Sequence, residues 1–111
     1  MLKTIGLIDA LLTALRDTKI RIAFIFGSVA EGTEKGASDI DVMIIGSIGL
    51  RDVARMLAGA HDKIDREINP YVVSEEEFKK RLTEGEHFIK AVMDGKKVFI
   101  KGSEDDLKTM G

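Results

Sequence analysis

The chain has 111 residues, 44% of them hydrophobic and 32% charged, so a core that buries roughly 65% of the unfolded surface is within reach without staples. It has no cysteine, which excludes thiol redox chemistry and a cysteine zinc site, and its formal net charge of -2 argues against a broad basic face for extensive duplex nucleic acid. No apolar run approaches the roughly 20 residues of a membrane span, and one Lys with Asp9 interrupting MLKTIGLIDALL is no signal peptide, so a cytoplasmic protein with no membrane segment is expected.

Residues 2 to about 17 carry apolar side chains at helical spacing: Leu2, Ile5, Ile8, Leu12 and Leu15, with Leu11 widening the stripe. Arg21 to Phe26 reads as a strand. Ile22, Phe24 and Phe26 alternate with Ala23 and Ile25, so both faces are apolar and the strand belongs inside a sheet. Gly27 ends it, a short helix over Ser28 to Glu31 follows, and Thr33 to Ala37 is a polar loop.

Ser38 to Ile45 reads as a second buried strand, and Gly46 to Gly49 as a turn. Leu50 to about His61 is predicted helical, with Leu50, Val53, Ala54 and Leu57 inward. Lys63 to Val73 is predicted extended, with Pro70 near its end or on an edge. Ser74 with Glu77 forms a capping box and starts a third long helix through Phe78 and Leu82. Asp94-Gly95 is a turn, Lys97 to Lys101 a short strand, and Ser103 to Asp106 a further cap. The order α, β, short α, β, α, β, α, β, α predicts one α/β (α+β) domain over residues 1–111, a small sheet layered against helices.

The chemistry concentrates in FGSVAEGTEKGASDIDVMIIG, residues 26–46. A strand that ends in Gly and enters a helix presents free backbone N–H groups where the helix dipole favours an anion. Gly27 lets a phosphate approach the backbone, and the Ser28 hydroxyl adds a donor. By itself a Gly-Ser pair is most often only a turn.

Ten residues separate Ser28 from Asp39, and Asp41 follows by two. On a strand, residues i and i+2 share a face, so the two carboxylates project together. Their repulsion favours a bound cation, and Mg²⁺ takes carboxylates, phosphates and water as ligands. Two such ions about 4 Å apart can stabilise the attacking and the leaving oxygen of a phosphoryl transfer. The plain alternative is a solvated strand end, against which stand the rarity of Asp in strands and the apolar Val42-Met43-Ile44-Ile45 that follows. Other phosphate motifs fail: Thr33 stands where a Walker A loop needs Lys, and there is no GxGxxG.

The whole pattern, GS-x10-DxD between hydrophobic strands, resembles the DNA polymerase β-like nucleotidyltransferase superfamily, and within it the minimal nucleotidyltransferases. The resemblance is strongest over residues 22–46, and REINPYVVSEEEF to FIKAVMDGKKVFIKG extends it to most of the chain. It implies a mixed sheet of three to five strands flanked by helices. It implies that Gly27 and Ser28 grip the triphosphate of a nucleoside triphosphate, ATP being expected, and that Asp39 and Asp41 bind Mg²⁺.

A third carboxylate on a neighbouring strand normally completes such a site, as metal ligand or as base toward the acceptor hydroxyl. Asp65 and Glu67 are the candidates. They share a face by parity, and Glu67, ahead of the Asn69-Pro70 step, is preferred as catalytic and metal-binding residue. Asn69 shares that face and can touch nucleotide. Lys35 is read as a solvated loop residue, Arg66 as facing away, and His61 and His87 as surface residues.

Three functions follow from the resemblance. The first is a nucleotidyltransferase that passes a nucleoside monophosphate to an acceptor hydroxyl and releases pyrophosphate. The second is an antitoxin-like module that binds or modifies a HEPN-type partner protein. The third is a non-catalytic nucleotide sensor. The short chain leaves little room for an acceptor domain, so the acceptor site is expected from a partner or from a second copy in a homo-oligomer.

Overall fold

The two most apolar segments of the chain pair with each other. A computed structural model describes residues 4–27, 30, 39–64 and 66–110. Its elements are α1 (Thr4–Ala14), β1 (Ile20–Phe26), β2 (Ile40–Gly46), α2 (Leu50–Ile64), β3 (Ile68–Val73), α3 (Glu75–Thr83), α4 (His87–Asp94), β4 (Val98–Lys101) and α5 (Glu104–Met110). They build a four-stranded sheet in the order β3-β2-β1-β4. β1 runs antiparallel to β2 and to β4, whereas β2 and β3 are parallel, joined through α2. The sheet is therefore mixed, as the resemblance implies, and lies between helices.

β1 and β2 occupy the centre because both their faces are apolar. Pro70 lies on β3 at the sheet edge, where its missing N–H breaks no ladder. Pairing of Ile20 with Gly46 and of Ile22 with Ile45 leaves Arg21 as an extra residue, a β-bulge. The bulge reverses parity. Ile20 faces the same side as Ala23 and Ile25, and Ile22 faces the other with Phe24 and Phe26. Arg21 itself is exposed and meets Glu75 of α3 at 3.0 Å.

Each face of the sheet has its own core. On one, Leu11 and Leu15 from the α1 segment and Val53, Leu57, Ala60 and Ile64 from α2 cover Ile25, Val42 and Ile44. On the other, Phe78 of α3, Ile89 and Val92 of α4 and Leu107 of α5 cover Phe24, Phe26, Met43 and Ile45.

Several predicted details change. In α1, Leu11 is buried and Leu12 is 45% exposed, because the helix turns its Leu11–Leu15 edge to the sheet. In α2, Leu50 and Ala54 are exposed rather than inward. The buried stripe is Val53, Leu57, Ala60 and Ile64, at helical spacing. That stripe carries the helix on to Ile64, so Lys63 and Ile64 are helical and β3 starts only at Ile68.

The single helix expected after Ser74 is two. Ser74 caps α3 as predicted, its hydroxyl accepting from the Glu77 amide at 3.0 Å. α3 then stops at a Schellman motif: the Gly85 amide donates to Leu82 O at 3.1 Å and the Glu86 amide to Arg81 O at 3.0 Å, with Gly85 at φ 71°.

α4 ends at Gly95, where Lys97 holds the following turn. Its side chain is 3% exposed, and its ammonium donates to Met93 O at 2.8 Å and Gly95 O at 3.1 Å, with Glu104 3.5 Å away. Ser103 caps α5 by accepting from the Asp106 amide at 3.2 Å. Among the described residues, no helix is long and apolar enough to cross a membrane.

Candidate functional site

β1 ends where the chemistry begins. Gly27 follows Phe26 at φ 76°, a conformation that costs a side-chain-bearing residue about 1–2 kcal/mol. A Cβ on Gly27 would stand 2.8 Å from Asp41 Oδ2. The glycine thus serves twice: it permits the turn, and it makes room for the carboxylate of the neighbouring strand.

Asp41 is placed by the ladder. It pairs with Phe26 on one side and with Asn69 on the other. Directly paired residues share a face, so Phe26, Asp41 and Asn69 all point to the side covered by α3, α4 and α5. Asp39 precedes β2, is exposed and shares that face by parity. The two carboxylates converge on one amide: Asn69 Nδ2 lies 3.4 Å from Asp39 Oδ2 and 3.4 Å from Asp41 Oδ1. A neutral donor between two acids eases their repulsion only in part. The oxygens of Asp39 and Asp41 are the donor type that a hard divalent cation takes.

Of the residues singled out from sequence, Gly27, Asp39, Asp41 and Asn69 come together. Glu67 is exposed just ahead of β3, where its carbonyl accepts from the Ile40 amide at 2.9 Å. Among the described residues, no group of three or more His, Cys, Asp or Glu side chains is placed to hold a metal ion, so Glu67 does not join the two aspartates in one. Ser28, Lys35 and Asp65 lie outside the described residues. His87 is exposed at the start of α4.

Sequence reasoning overlooks what borders this cluster. Phe26, Tyr71 and Phe88 form a triangle of rings, with centroids 5.3 Å apart for Phe26–Tyr71, 5.9 Å for Phe26–Phe88 and 5.4 Å for Tyr71–Phe88. Tyr71 and Phe88 remain 38% and 37% exposed. Two signals were available: Phe26 immediately precedes Gly27, and Tyr71 follows Asn69 by two on the same strand face. Phe88 comes from another helix and gives none. A cavity of about 190 Å³ opens beside the rings, with Gly27, Phe26 and Phe88 among its walls.

The family model described as polymerase beta, nucleotidyltransferase matches residues 10–104, which span both aspartates and Asn69. No curated protein matches the sequence. Several solved structures share the fold. A chain of a toxin–antitoxin complex with AMP-PNP is 15% identical, covers 93% of this chain and 79% of its own length, and superposes with a TM-score of 0.63. A chain of the complex between a tri-AMPylated Shewanella oneidensis HEPN toxin and an MNT antitoxin is 13% identical, with coverage of 94% and 76% and a TM-score of 0.56. A chain of an MntA–HepT toxin–antitoxin complex is 15% identical, with coverage of 94% and 77% and a TM-score of 0.53.

Proposed function

The chain belongs to the polymerase β nucleotidyltransferase family, and from that premise we propose that it transfers the nucleoside monophosphate of ATP to a hydroxyl on a HEPN-type partner protein. The observation that carries this reading is the convergence of Asp39 and Asp41 on Asn69, beside the positive-φ turn at Gly27.

In this reading, the Gly27 turn and the Ser28 hydroxyl hold the triphosphate. Asp39 and Asp41 are the residues that would hold Mg²⁺, which would supply positive charge against the phosphate oxygens. Asn69 keeps the two carboxylates in one orientation. Glu67 takes the proton from the acceptor hydroxyl. That oxygen bonds to the α-phosphorus, the bond from α-phosphorus to the bridging oxygen breaks, and pyrophosphate leaves with the electron pair.

The partner assignment rests on the similar structures, which are toxin–antitoxin complexes, one with an AMPylated HEPN toxin. A hydroxyl on a protein surface also suits a site whose Asp39 is exposed.

The test is label transfer. The protein, Mg²⁺ and ATP labelled at the α-phosphate are incubated with a HEPN-type protein. The expected result is label on the partner, lost in Asp39→Asn. No transfer by the wild type to partner or to itself overturns the reading. If an Asp39→Asn/Asp41→Asn double variant still neutralises the co-expressed partner, neutralisation works through binding instead.

A further inference from the structure

The cavity beside Gly27 has neither Asp39 nor Asp41 in its wall. Phe26, Gly27, Phe88, Ala91, Val92 and Lys96 line it, and it measures about 190 Å³. That is smaller than the roughly 300–1,000 Å³ of a pocket enclosing a drug-sized ligand. It suits a single flat ring system. Its walls are apolar and aromatic except at Lys96, which is exposed at the margin.

Position supplies the occupant. Gly27 belongs to both places: the site of its missing Cβ lies 2.8 Å from Asp41 Oδ2, and the residue also forms part of the cavity wall. Phe26 does the same, pairing with Asp41 in the ladder and presenting its ring to the cavity. A ligand whose phosphates lie against the Gly27 turn therefore carries its remaining part past the cavity mouth. In a nucleotide that part is a flat heterocycle on a ribose. Half-exposed Phe88 offers a ring for stacking, and it is braced from behind by Phe26 and Tyr71.

We infer that this cavity is the nucleobase site of the donor nucleotide, with Phe88 as its stacking face and Lys96 as a donor to ring or carbonyl acceptors on the base. The inference rests on the nucleotidyltransferase reading and adds to it the residues that recognise the base. Nucleobase stacking is selective for aromatic walls and tolerant of which base is present. The site therefore distinguishes a nucleoside triphosphate from bare triphosphate more sharply than one base from another.

Calorimetry on the full chain with Mg²⁺ tests it, using ATP and inorganic tripolyphosphate as separate ligands. Phe88→Leu keeps the apolar volume and removes the ring. Its Kd for ATP should rise about tenfold or more, while that for tripolyphosphate stays within about twofold. Ala91→Leu fills the cavity from an exposed helix position and should give the same split, which keeps the test decisive if Phe88→Leu is unstable.

Equal loss for both ligands, or no loss for either in the two variants, overturns the base site. If ATP binding is unchanged and only label transfer slows, the cavity serves the acceptor, and the inference is likewise overturned. In these cases the nucleotidyltransferase reading stands. Wild-type protein that binds neither ligand overturns both.

Discussion

The two faces of the sheet are built from different materials. The face under α1 and α2 is aliphatic, filled by Leu, Ile, Val and Ala. The face under α3, α4 and α5 carries the phenylalanines, and at its end stand Asp39, Asp41 and Asn69. Aliphatic side chains pack without direction and can cover a face from end to end. Rings pack edge to face at defined separations, so they leave shaped gaps and half-exposed flat surfaces at the margin. The contrast assigns one side of a thin sheet to stability and lets the other serve both stability and recognition.

The sharpest way to break this comparison is to remove charge from the site without touching either core. Asp41→Asn should lower label transfer by more than about a hundredfold, the scale of several kcal/mol of lost charge stabilisation. The melting temperature should move little, because Asp41 is only half-buried. A large fall in Tm would place Asp41 in the core instead.

Next come paired core truncations. Phe26→Ala should cost about 3–5 kcal/mol of stability and Leu57→Ala about 2–5 kcal/mol, as read by denaturant titration. Only Phe26→Ala should also weaken ATP binding, because its ring braces Phe88 and lines the cavity. Equal effects on ATP affinity, measured well below both unfolding midpoints, would erase the distinction between the faces.

Gly27→Ala is smaller in stability, at about 1–2 kcal/mol for the positive φ. Its larger consequence is displacement of the Asp41 carboxylate, so Mn²⁺ affinity followed by paramagnetic resonance should fall further than stability does. The smallest effect is expected at Ser74→Ala. Loss of one cap costs about 1 kcal/mol, with ATP affinity unchanged, since α3 begins away from the cavity.

Much of this was legible in the sequence, for physical reasons. β1 and β2 are apolar on both faces, and only a central strand needs that. Ser74 and Ser103 announce their helices through a hydroxyl that accepts from the amide three residues on. Asp39 and Asp41 share a face by strand parity alone, whereas the pairing of Asp41 with Asn69 is set by the register of β2 against β3.

What stayed hidden depends on contacts distant in sequence. Leu11 and Leu12 are equally apolar, and only the angle at which α1 meets the sheet buries one and exposes the other. The bulge at Arg21 is a property of the pairing, not of the strand. The break between α3 and α4 had its local signal in Gly85, but a helical run with apolar residues on either side masked it. Phe88 joins Phe26 and Tyr71 only after that break turns α4 back over the sheet.

Lys97 carries a further consequence. An ammonium ion withdrawn from water, and committed to two carbonyls of one turn and a carboxylate of the next helix, acts as a rivet. It fixes Gly95 and Lys96, and with them one wall of the cavity, before any ligand arrives. Ordering that wall is then a cost met during folding rather than at each encounter. Association limited by diffusion and not by closure, with an observed rate linear in ligand concentration, is what such a rivet should produce.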